Sequence, residues 1–103
     1  MGRMIAAFSV APTVTNNSNA EMSDVVARAV KVVRESGLPH ETTAMFTTIE
    51  GEWDEVMDVI KRATQAVEEV SPRVSLVVKA DIRPGYENML QQKVASLNKH
   101  LED

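Results

Sequence analysis

The chain has 103 residues, 44% hydrophobic and 25% charged, with a net charge of −4 and no cysteine. That length predicts a single domain over residues 1–103, able to bury about two-thirds of its unfolded surface. Eleven Lys and Arg scattered among fifteen carboxylates argue against a basic face for nucleic acid, and the lack of cysteine excludes disulfides, thiolate metal sites and cysteine nucleophiles.

The chain opens with an apolar run, Met4-Ile5-Ala6-Ala7-Phe8-Ser9-Val10, bounded by Pro12 and of the length of a central strand. The wider stretch Met4 to Val14 is broken by Ser9, Pro12 and Thr13. It is too short to cross a bilayer and lacks a signal-peptide cleavage site, so a cytoplasmic protein without membrane contact is expected. A polar loop, Thr13 to Asn19, leads to Ser18-Asn19-Ala20-Glu21, which matches a capping box. The helix it opens places Met22, Val25, Val26, Ala29 and Val33 on one face and stops at Gly37 and Pro39.

Two Thr-rich strand candidates follow, His40 to Met45 and Thr47 to Glu50, read as a hairpin turning near residues 44–46. The run from Met45 to Met57 reads as a strand ending on Glu50, a glycine turn at Gly51, and a second helix. A carboxylate at a strand exit can bind a polar or cationic small molecule. It can equally do no more than favour the helix start electrostatically. The second helix carries Trp53, Val56, Met57, Ile60, Ala63, Thr64 and Val67 as its apolar stripe and ends at Ser71-Pro72. From Arg73 to Arg83, Val74, Leu76, Val78, Ala80 and Ile82 alternate with Ser75, Val77, Lys79 and Asp81, the signature of a strand. Pro84-Gly85 punctuates, and a third helix is expected from Tyr86 to Leu101, with Tyr86, Leu90, Val94, Leu97 and Leu101 on one side.

This order predicts an α+β fold: a ferredoxin-like βαββαβ unit with a four-stranded antiparallel sheet, helices on one face, and an added C-terminal helix. The opposite face is expected to be bare, presenting Ile5, Ala7 and Ser9 from the first strand and Ser75, Val77, Lys79 and Asp81 from the last. A face half apolar and half polar suits stacking against a second subunit, a ligand held between the two by Ser9, Lys79 and Asp81, or both. Lys79 and Asp81 read equally as a solvated neighbour pair of little energetic weight.

No catalytic constellation emerges. The two histidines, His40 after the Gly-Leu-Pro stop and His100 in the last helical turn, read as a loop residue and a helix C-terminal cation rather than as bases of a hydrolytic triad. Four glycines do not build a phosphate loop, and Glu52, Asp54, Glu55 and Asp58 point around a helix rather than converging as metal ligands. An enzyme is not expected, nor a metal or cofactor.

Phe8-Ser9-Val10-Ala11-Pro12, Gly37-Leu38, Met45 to Trp53, and Arg73-Val74 to Arg83 together resemble the YkoF-like thiamine-binding protein family. The resemblance runs over nearly the whole chain from Met4, and its most specific part is Thr-x-Ile/Val-Glu-Gly-x-Trp, here Thr47 to Trp53. It implies the ferredoxin-like fold, sheets stacked into dimers that pair into tetramers, and non-catalytic binding of thiamine or its pyrimidine precursor as a small-molecule ligand. Where many relatives carry glycine before the first Thr, this chain has Phe46.

Thiamine joins an aminopyrimidine to a cationic thiazolium, so a carboxylate and flat apolar cover suit it. On the resemblance, Glu50 is the first candidate for the carboxylate and Asp81 the second. Ser9, Thr47 and Thr48 would donate or accept hydrogen bonds, and Phe46 or Trp53 would stack. Lys79 would balance a carboxylate or meet a phosphate on a phosphorylated ligand. The alternative is a structural or regulatory homo-oligomer with no physiological ligand.

Overall fold

A computed structural model of the protein describes residues 2–14, 21–85 and 87–102. Its elements are β1 (Arg3–Val14), α1 (Glu21–Ser36), β2 (His40–Thr42), β3 (Thr47–Glu52), α2 (Trp53–Glu68), β4 (Arg73–Ile82) and α3 (Met89–Glu102). The capping box expected at Ser18-Asn19, the side chain of Met22, and Tyr86 lie outside the described residues.

The strands form one antiparallel sheet in the order β2-β3-β1-β4. With α1 and α2 packed on one face, this is the expected ferredoxin-like arrangement. Period-two alternation sets the two faces. Met4, Ala6, Phe8 and Val10 of β1 are buried beneath the helices, with Ile49 of β3 beside them. From above, α1 contributes Val25, Ala29 and Val33, and α2 contributes Val56, Val59, Ile60, Ala63 and Val67. Val26, placed on the buried stripe by sequence, is exposed, and Val59 takes a core position the stripe did not include. Register pairs Phe8 with Val78 and Val10 with Leu76, so the apolar set of β4 does face the helix side. The helices sit mainly over β1 and β3, however, and edge strand β4 is left with Leu76 43% exposed.

Besides β2, which ends at Thr42 rather than at Met45, three boundaries differ from the sequence reading. β1 continues through Pro12 to Val14, with a register shift between those two residues. Pairing with β3 ends at Phe8, so beyond that point β1 has a free side on which a missing N–H costs nothing. Gly51 is a strand residue rather than a turn: β3 runs on to Glu52, and α2 starts at once with the Glu52 N–H donating to Glu55 Oε1 at 3.1 Å. Gly51 is needed for closeness instead, because a Cβ there would lie 3.3 Å from both Leu38 and Val56. The hairpin turn falls at residues 43–46 as expected, closed by the Thr43 N–H on the Phe46 carbonyl at 2.9 Å.

The third difference bears on function. α3 begins at Met89, three residues later than expected, after Asn88 in the left-handed region (φ 56°), which asparagine tolerates better than most residues. The helix approaches the sheet face that α1 and α2 leave free, so that face is not wholly bare. Only its first turn makes the approach: Met89 is buried, whereas Val94, Leu97 and Leu101 are exposed. The chain accordingly measures 49 Å along its longest axis, and its radius of gyration of 15.1 Å exceeds the roughly 13 Å of a compact chain this size.

Candidate functional site

Along β3, the sequence Thr47-Thr48-Ile49-Glu50-Gly51 sends alternate side chains to opposite faces. Ile49 pairs with Ala6 on the helix-covered side, so Glu50, paired with Ile5, stands on the other. Its residue is nevertheless only 1% exposed, because the first turn of α3 lies across it. A helix start leaves backbone N–H groups without intrahelical partners, and Glu50 supplies one: Oε1 accepts the Leu90 N–H at 3.2 Å. Oε2 accepts from Arg3 Nε at 3.3 Å, an ion pair between neighbouring strands β1 and β3.

Burial pushes the Glu50 carboxyl up, but the backbone N–H groups of Met89 and Leu90, with Arg3, outweigh it and hold the group below the usual carboxylate range. Glu50 is therefore an ionised, buried anchor that fastens α3 to the sheet.

Beside this anchor a cleft of about 580 Å³ opens between the β2–β3 side of the sheet and α3. Pro39, His40, Glu41 and Glu50 line it from the sheet side. The His40 ring is steadied by a 2.9 Å contact from Nδ1 to the Leu38 carbonyl. From α3 and the residue before it come Asn88, Leu90, Gln91, Val94, Ala95 and Asn98. Three of these are neutral amides, which both donate and accept. The cleft thus combines two carboxylates, amide hydrogen-bonding groups and an aliphatic wall, the chemistry of a small polar heterocycle site rather than of a nucleophile–base pair.

The eight residues proposed from sequence do not converge there. Glu50 lines the cleft. Ser9, Phe46 and Thr47 instead border a second hollow of about 150 Å³, near the 43–46 turn and α1. Thr48, Lys79 and Asp81 stand on the same face as Glu50, since Ala7 pairs with both Thr48 and Lys79, and Ile5 with Asp81. Trp53, the first residue of α2, packs half-buried against the core on the far side of the sheet. Conversely, His40, Glu41, Asn88, Gln91 and Asn98 were not among the sequence candidates. A signal did exist: the amides Asn88, Gln91 and Asn98 recur at spacings of three and seven, on one side of α3 and its start. Reading it required knowing where α3 docks.

A model of a family described as thiamine-binding protein matches residues 6–98. The UPF0045 protein Mb1933 of Mycobacterium bovis is 46% identical over 99 residues, covering 95% of this chain and 94% of the relative. Among solved structures, protein MJ1052 of Methanocaldococcus jannaschii superposes with a TM-score of 0.82 at 31% identity, covering 95% of this chain and 98% of that one. TM0486 of Thermotoga maritima, described as a candidate thiamine biosynthesis/salvage protein, gives 0.78 at 25% identity, with 92% and 98% covered.

Proposed function

The chain belongs to the thiamine-binding protein family, and from that premise we propose that it binds thiamine or a related pyrimidine precursor without transforming it. The observation that carries this reading is the cleft at Glu50. Its amides, Asn88, Gln91 and Asn98, match the alternating donors and acceptors of an aminopyrimidine. Leu90 and Val94 offer an apolar wall to a flat ring, and Glu41 and Glu50 favour a cationic thiazolium. Both oxygens of Glu50 are already engaged, so its part is negative charge and the placement of α3, and direct hydrogen bonds fall to the amides.

The cleft is open on one side, and apolar groups remain uncovered around it: Val77 on the same sheet face, and Val94 and Leu97 on α3. A second copy of the chain laid over this face would bury them and close the site, a ligand at the seam of a dimer, with tetramers formed by pairing.

The exposed apolar stripe on α3 also favours the second reading, a homo-oligomer whose assembly is its function and which takes no small ligand. Calorimetric titration with thiamine and with hydroxymethylpyrimidine separates the two. Heat of binding is expected for at least one compound, and Glu50→Gln, which removes a negative charge beside the thiazolium, is expected to weaken thiamine binding by about 1–3 kcal/mol. An assembled protein that gives no heat with either compound would favour the scaffold. Binding that Glu50→Gln leaves unchanged would remove Glu50 from the site.

A further inference from the structure

We infer that the cleft takes the unphosphorylated ligand, as the free thiamine cation or the neutral pyrimidine alcohol, and rejects phosphate esters. This rests on the cleft being the ligand site and adds which chemical form enters it. A phosphate needs cationic side chains or free backbone N–H groups. Among the described residues lining the cleft none is Lys or Arg, whereas Glu41 and Glu50 are both carboxylates.

His40 lines the cleft with its Nδ1 against the Leu38 carbonyl, and Arg3 is held by Glu50 through Nε. The start of α3 would otherwise be the natural landing place for an anion, since helix N-termini offer unpartnered N–H groups and a positive dipole end. Here the chain fills it with its own carboxylate: Glu50 Oε1 takes the Leu90 N–H. A phosphoryl oxygen could reach those donors only by displacing a buried, ionised side chain from its place. Lys79 shares the sheet face but sits on β4, two strand spacings or about 10 Å from β3.

Esterification also reverses the sign of the ligand. One phosphate carries about −1.5 to −2 near neutral pH, which turns the thiamine cation into a net anion facing two carboxylates. The affinity lost is on the order of tenfold or more, reduced at high salt because Glu41 is exposed.

The test is calorimetric titration of the full chain, at fixed ionic strength, with four compounds: thiamine, thiamine monophosphate, thiamine diphosphate and hydroxymethylpyrimidine. The expected result is binding of the unphosphorylated compounds, with both esters weaker by on the order of tenfold or more. A second arm uses Glu41→Lys. This residue is exposed on edge strand β2, so the fold should be retained, and the handicap of the diphosphate relative to thiamine should shrink by on the order of tenfold. Diphosphate binding as tightly as thiamine, or an unchanged ratio in Glu41→Lys, overturns the inference while leaving the proposed function standing. If none of the four binds, the ligand-site reading fails and takes the inference with it.

Discussion

The two faces of this one sheet are built on opposite plans. Beneath α1 and α2, Met4, Ala6, Phe8 and Ile49 are buried in apolar contact. On the other side, the same sheet presents Thr48, Glu50, Lys79 and Asp81, and among the described residues it is the first turn of α3 that the chain lays against them. Because strand side chains alternate strictly, neither face can be altered by a register slip without exchanging it for the other. The covered face fixes the register, and the register then aims Glu50 at the start of α3. Stability on one side therefore dictates site geometry on the other.

The sharpest way to break that contrast is to truncate neighbours on β3 that point in opposite directions. Ile49→Ala removes a fully buried side chain from the middle of the core and is expected to cost about 2–5 kcal/mol of unfolding free energy. Thr48→Ala, one residue away on the other face, should stay within about 0.5 kcal/mol. Urea denaturation of both variants decides it. Equal losses would mean that the second face is packed as tightly as the first.

A smaller effect is expected where the second face does behave like a core. Glu50→Gln keeps the shape but removes the charge that Arg3 and the α3 N–H groups face, at a cost of about 1–3 kcal/mol near neutral pH. The acid limb gives the sign. In the folded protein the carboxyl titrates below its ordinary, unfolded-chain value, because the Met89 and Leu90 N–H groups and Arg3 outweigh burial. Its stabilisation is thus complete above the unfolded value and disappears as pH falls through the folded one. Wild-type stability should drop more steeply than that of Glu50→Gln across this acidic window. Parallel curves would show that Glu50 is not an ionised anchor.

What could be read from the sequence was what depends on near neighbours. Alternation in β1 and β4 and the stripe of α2 gave the strands, the helix and their inward faces, and the Thr43–Phe46 turn lies where the Thr-rich hairpin implied. What could not be read depends on distant partners. Glu50 looked like an available carboxylate at a strand exit, yet its N–H donor comes from Leu90, 40 residues later. The α3 amides became site residues only because that helix start docks on Glu50. Pro12 reads as a boundary in sequence because the early end of β3 pairing, which frees that side of β1, leaves no mark on β1's own residues.

Gly51 supplies the finest test of how the two faces differ. It lies on the covered side opposite Met4, where an added methyl would meet Leu38 and Val56 at 3.3 Å, tighter than ordinary van der Waals contact. Replacing glycine by alanine in an extended strand would by itself stabilise slightly, by restricting the unfolded chain. Overpacking against two apolar neighbours works against that gain, and Gly51→Ala is expected to lose about 1 kcal/mol net. Ala7→Val enlarges a side chain on the opposite face of the adjoining strand, where Thr48 and Lys79 flank it, and should change stability by no more than about 0.5 kcal/mol. Thermal denaturation of the pair reads the difference directly. If Gly51→Ala were neutral, Leu38 and Val56 would have to yield without cost. The helix-covered layer would then hold as much slack as the face that carries Glu50.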